Sequence, residues 1–139
     1  MYEQGVDVIF VAAGSSGIGV TEAATALSTE TRPLWVIGVD SDQYYDISET
    51  QRAHLLTSMF KGFDIGIHAV VAAYDNGTLV APSVVEVGLA DGAVGYTTTG
   101  EHLDASTITT LEQLRDEIVN GTIDVHPVPA EAIDLTAHP

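Results

Sequence analysis

Cysteine is absent from this sequence, and lysine occurs once, at Lys61. Without cysteine there are no disulfides, no thiol nucleophiles and no thiolate metal sites. Basic residues are scarce altogether: 4 Lys and Arg stand against 20 Asp and Glu, a formal net charge of −16. So acidic a surface repels phosphate backbones and anionic headgroups, which excludes nucleic acid and direct membrane insertion. No apolar run approaches the roughly 20 residues of a membrane-spanning helix, and no secretory or lipoprotein signal opens the chain. The histidines (His54, His68, His102, His126 and His138) are scattered, without the short paired spacings of metal sites. No serine sits in a Gly-x-Ser-x-Gly elbow. Neither a metal, a cofactor nor a catalytic residue is therefore expected. Acid enrichment with one lysine is also the composition of a salt-adapted, halophilic surface, because high salt screens the self-repulsion of such a chain.

What is present is a core. Hydrophobic residues make up 45% of 139 positions, enough for one packed domain. Val6–Ala13 (VDVIFVAA) is a β-branched apolar run that reads as a buried strand. A helix is predicted over Gly17–Leu27 and a second buried strand over Leu34–Val39. Residues 43–54 read as a loop or irregular helix, and Leu55–Phe60 as a third strand. Phe63–Tyr74 has the apolar face of a helix, ended by Asn76-Gly77. Val84–Val87 reads as a fourth strand and Gly88–Gly100 as a turn-rich stretch. Over Thr107–Asn120 the apolar residues Ile108, Leu111, Leu114, Ile118 and Val119 fall on one side of an amphipathic helix, with Gly121 as a stop. Residues 1–125 form the domain, and the Pro/Ala-rich residues 126–139 read as a flexible tail. Strands alternating with helices predict an α/β fold with a mostly parallel sheet flanked by helices.

In such sheets ligands gather beyond the carboxyl ends of the strands. Three candidate residues fall there: Gly14, Asp40 and Lys61. Gly14 opens GSSGIG, where small residues permit close backbone approach at a helix start. The same stretch fits a plain strand-to-helix turn, or the cofactor turn of a small nucleotide-dependent enzyme. A short-chain dehydrogenase would need a tyrosine four residues before its lysine, and position 57 is Thr57. Asp40 and Asp42, in GVDSDQ, offer carboxylates for sugar hydroxyls, and one of the two is expected to cap a turn instead. Lys61 is placed to bond a hydroxyl or to pair with Asp40, against the alternative of a solvated surface lysine.

The blocks MYEQGVDVIFVAAGSSGIGV, LWVIGVDSDQ, LLTSMFKGFD, VVEVGLADGAVGYT and LRDEIVNGTIDV follow one another in this order. That series resembles the basic membrane protein family of ABC transporter substrate-binding lipoproteins, to which purine nucleoside receptors belong, over residues 1–125. The resemblance implies a lobe of the type I periplasmic-binding-protein-like fold and no catalysis. It implies a nucleoside held between two lobes, an ABC permease as partner, and a place at the cell surface on the plasma membrane. By resemblance Gly14 lines the cleft, and Asp40 and Lys61 reach the ligand. Ser15 and Ser16 depart from the family's usual residues. This chain resembles the second lobe alone, so a truncated or non-functional remnant and weak nucleoside binding are both consistent with it.

Overall fold

In the computed structural model, residues 1–80 and 84–125 are described; the predicted tail, with His126 and His138, lies outside them. The chain divides into two units, Met1–Ala105 and Ser106–Pro139. The first contains β1 (Val8–Phe10), α1 (Gly17–Leu27), β2 (Trp35–Asp40), α2 (Glu49–Arg52), β3 (Leu55–Lys61), α3 (Phe63–Asp75) and β4 (Val94–Tyr96). One sheet holds the strands in the order β1-β2-β3-β4. β1, β2 and β3 run parallel, while β4 pairs antiparallel with β3.

Strand alternation explains where the core lies. Ile9 and Val36 are register partners, so they share a sheet face with Val11. α1 covers that face: Ala24, Val11, Val36, Leu34 and Tyr2 are buried together, with Val20 and Ala23 packed against them. The helix starts close to the sheet because Gly17 has no side chain; a Cβ there would lie 3.1 Å from a Val11 methyl. The loop before β2 is tied back by Arg32, which donates to Asp7 Oδ1 at 3.0 Å and to the Tyr2 carbonyl at 2.8 Å.

Tyr2 donates its hydroxyl to the Trp35 carbonyl at 2.8 Å, and burial raises its pKa above 10.0. The folded state thus favours the neutral phenol. Its stabilising contribution is complete below about pH 10 and is lost as pH rises through the folded value. Unfolding followed by circular dichroism between pH 8 and 11 should show stability falling at the alkaline end. Tyr2→Phe should flatten that fall while lowering stability by roughly 1 kcal/mol at pH 8 through the lost hydrogen bond. An identical alkaline slope in the variant counts against Tyr2 as its source.

Three expectations need correction. Val6–Ala13 was expected to be buried, yet only Val8–Phe10 forms a strand, and Val8 and Phe10 are exposed. β1 ends the sheet, and α1 covers only the face of Ile9 and Val11; alternation turns Val8 and Phe10 to the other face. The strand expected at Val84–Val87 does not form, and Val84 is 87% exposed. The free edge of β3 is occupied instead by β4, inside the stretch expected to be turns. Gly95 makes this possible: the Phe60 ring lies over it, 2.7 Å from where a Cβ would be. α3 forms where its apolar spacing predicts, but none of its residues is buried, and Phe63, Ile67, Val71 and Tyr74 stay exposed.

The second unit holds α4 (Ala105–Val119) from its second residue on; the helix is followed by Gly121, whose φ of 74° admits the left-handed turn. Thr122 N–H then donates to the Glu117 carbonyl at 2.8 Å, which caps the last turn.

Candidate functional site

The site begins at the carboxyl ends of β1, β2 and β3. Being parallel neighbours, these strands deliver their following residues to one edge of the sheet. Lys61 is the last residue of β3 and Asp40 the last of β2. Their side chains meet: Lys61 Nζ donates to Asp40 Oδ1 at 2.8 Å. Both side chains are about half exposed, 50% and 46%. Such a pair contributes only about 0–1 kcal/mol to stability. Its chemistry is therefore at the disposal of solvent and solutes. Among the described residues Asp40 Oδ2 accepts no hydrogen bond, and a carboxylate oxygen so placed can accept from a hydroxyl. Lys61 retains donor capacity beyond the bond to Asp40.

Gly14 lies on the same edge, beyond β1. It opens a 3-10 turn, Gly14–Ser16, that runs into α1, and its φ of 54° is left-handed. No Cβ would clash there, so conformation rather than space selects glycine. It brings backbone to the edge and no side chain; the ion pair is formed by Asp40 and Lys61 alone.

Asp40 and Asp42 do different work. Asp42 caps the 3-10 turn Gln43–Tyr45, its Oδ1 accepting from Tyr44 N–H at 3.2 Å. Its other oxygen accepts from the Thr99 hydroxyl. Asp42 is thus committed to structure, as one of the pair was expected to be. Asp40 instead has a φ of 73°, rare for a residue with a side chain. Ser41 N–H donates to the Val39 carbonyl at 3.0 Å, closing a three-residue turn centred on Asp40.

Around this turn lie residues that motif reading missed. Gln43 Nε2 donates to the Val39 carbonyl at 3.1 Å, and Gln43 N–H donates to the Ser58 hydroxyl at 3.2 Å. Ser58 is fully buried in β3. Its N–H donates to Thr97 Oγ1, and its carbonyl accepts from Thr97 N–H. The one sequence signal for this arrangement is Gly38 inside a β-branched strand, a mark of close approach by another group.

Next to the ion pair, Lys61 also borders an apolar hollow of about 570 Å³ formed by α3 residues such as Gly66 and Val70 with Val85, Val87 and Val94. Lys61 is its only charged lining residue among the described ones. His54 and His102 have structural partners: their rings flank Trp35, and they bond the carbonyls of Leu34 and Arg52. Among the described residues no group of three His, Asp or Glu side chains is arranged to hold a metal. No described helix is long and apolar enough to cross a membrane.

A mostly parallel sheet flanked by helices, with polar side chains at the strand ends, is an α/β architecture. An ABC transporter solute-binding protein from Aeropyrum pernix has this fold. It superposes with a TM-score of 0.69 at 18% identity, over 93% of this chain and 42% of that one. A transcriptional activator of the comK gene from Bacillus halodurans superposes equally well, with a TM-score of 0.70 at 18% identity over 90% and 41%. Residues 1–128 match the family described as ABC transporter substrate-binding protein PnrA-like, and the chain belongs to that family. It is 34% identical to the CD4+ T-cell-stimulating antigen of Listeria monocytogenes, over 93% of this chain and 38% of that protein. Identity to basic membrane protein B of Borreliella burgdorferi is 36%, over 73% of this chain and 28% of that protein. The matched stretches thus span 38% and 28% of the length of these two relatives.

Proposed function

We propose that this chain serves as the ligand-binding lobe of an ABC importer's substrate-binding protein, taking a purine nucleoside by its ribose hydroxyls. The Asp40–Lys61 pair carries the reading: an acceptor and a donor 2.8 Å apart at the sheet edge, half exposed, match the two functions of a vicinal diol. Gly14 contributes close backbone approach from the neighbouring strand end. Membership of the family supports a small-molecule ligand and a transporter permease as partner. Attachment at the cell surface belongs to the same proposal.

Affinity follows from magnitude. Each charged hydrogen bond contributes roughly 1.5–3 kcal/mol, and association costs about 4 kcal/mol or more. Two such bonds leave a net of at most about 2 kcal/mol, so this chain alone should bind very weakly, with a dissociation constant near or beyond about 1 mM. A protein extended to the length of its relatives, with a second lobe closing on the base, should bind far more tightly. Titration calorimetry with adenosine, guanosine and inosine on both proteins tests this. Asp40→Ala in the longer protein should weaken binding roughly 10- to 100-fold. Micromolar binding by the 139-residue chain, or an Asp40→Ala variant that binds normally, would show that the ligand sits elsewhere.

A further inference from the structure

We infer that Gln43 is a positioning residue: its carboxamide, lodged over Gly38, holds Asp40 in the left-handed conformation that presents its carboxylate at the strand edge. The inference rests on the reading of Asp40 as the ligand's acceptor. Left to itself, a non-glycine residue does not favour φ near 73°, and a three-residue turn of this hand is strained. Such a conformation persists only where surrounding groups over-determine it.

Gln43 supplies that constraint at both ends. Its Nε2 bonds the Val39 carbonyl, the same oxygen that receives Ser41 N–H across Asp40. One acceptor thus takes both the bond that closes the turn and the bond that fixes the turn's position. Gln43's own N–H is anchored to Ser58, a fully buried hydroxyl held in turn by Thr97. The chain that must bend at Asp40 is therefore fastened to β3 three residues later, and β3 also carries Lys61. The carboxamide has room only because position 38 is glycine. A Cβ there would lie 2.5 Å from Gln43 Oε1 and 2.9 Å from Ser58 Oγ. Both contacts are side-chain atoms, so Gly38→Ala would displace the carboxamide and also press on the Ser58 hydroxyl that anchors Gln43 N–H, loosening both fastenings of the turn. Gly38, Gln43 and Ser58 act in this way on the acceptor without belonging to the ligand's own contacts.

A double-mutant cycle on the full 139-residue chain tests the coupling without any ligand. Glycine accepts positive φ without strain but carries more chain entropy when unfolded. Asp40→Gly should therefore be more favourable in the wild-type background, where Asp40 is held strained, than in Gln43→Ala, where it relaxes. The expected difference in melting shift is about 3 °C. Gly38→Ala should reproduce the Gln43→Ala background, and it serves alone if Gln43→Ala does not fold. NMR couplings that report φ should show Asp40 left-handed in the wild type and averaged in either variant. Additive melting shifts with an unchanged Asp40 signal in both backgrounds overturn the inference. A second arm titrates adenosine by NMR: Gln43→Ala should weaken binding at least fivefold although the carboxylate is retained. If the wild type shows no adenosine shifts at all, the ribose reading fails, while the melting cycle still decides the role of Gln43.

Discussion

Leu34→Ala is expected to cost about 2–5 kcal/mol and to lower the melting temperature by roughly 10–20 °C. Leu34 is fully buried where α1, Tyr2 and the first strands meet, beside Val11, Ala24 and Val36. Truncation removes transfer free energy and leaves a cavity whose walls cannot collapse. The wall on one side is a paired strand; on the other it is a helix held close by Gly17. The loss is large against a total stability of about 5–15 kcal/mol. It weighs more in this protein because so few side chains share the burden: α3 buries none of its residues and β1 turns two of three to solvent. Val84→Ala, at a residue 87% exposed, should change stability by less than about 0.5 kcal/mol. Thermal denaturation of the two variants beside the wild type measures both. A Leu34→Ala melting point within a few degrees of wild type would mean that the cluster around it is not the stabilising core.

The second large effect is that of salt. Raising KCl from 0.05 to 2 M should raise the melting temperature by about 10 °C, with most of the rise complete by about 1 M, where the screening length is already near 3 Å. Two effects oppose each other. Salt weakens attractive pairs, and among the described residues these are Arg32–Asp7, Lys61–Asp40 and Arg115–Glu112, all with side chains more than 40% exposed. Exposed pairs contribute at most about 1 kcal/mol each. Salt also weakens repulsion, and 20 acidic groups face 4 basic ones. Two like charges 10 Å apart repel by about 0.4 kcal/mol in water. Many such pairs are brought together by folding, so the repulsive sum exceeds three exposed attractions, and the net effect of salt is stabilising. A melting point that is flat or falls with KCl would show that the acidic surface does not limit stability.

The elements were legible wherever local chemistry decides the outcome. α1 fills Gly17–Leu27 because a glycine turn starts it and small apolar residues let it lie on a sheet. β2 and β3 were readable from short β-branched or apolar runs, and Gly14, Asp40 and Lys61 from their place just past such runs. α4 was readable because apolar residues at helical spacing precede Gly121. Val84–Val87 and Val94–Tyr96 show where this reasoning stops. By composition the first is the better strand, yet the second pairs with β3. Strand propensity measures fit to a half-buried pleated surface, and the partner that supplies that surface comes from elsewhere in the chain. Gly95 lowers the local propensity of β4 and yet permits it, because Phe60 of β3 closes over the bare backbone.

The site divides in the same way. The sequence by itself determined the charge of −16, the single lysine, the absence of thiol chemistry and the residue types at the strand ends, because these are properties of composition and of short local patterns. Tertiary structure alone decided that Lys61 reaches Asp40 rather than solvent, since residues 21 positions apart meet only through parallel pairing of β2 and β3. It also separated two neighbouring aspartates. Asp42 turns back to cap its own loop and to accept from Thr99, 57 residues away, whereas Asp40 is bent outward by a turn that Gln43 and Ser58 fasten. Nothing in the order Asp-Ser-Asp distinguishes the two, because the distant partners, Ser58 on β3 and Thr99 beyond β4, are brought to the loop only by the fold.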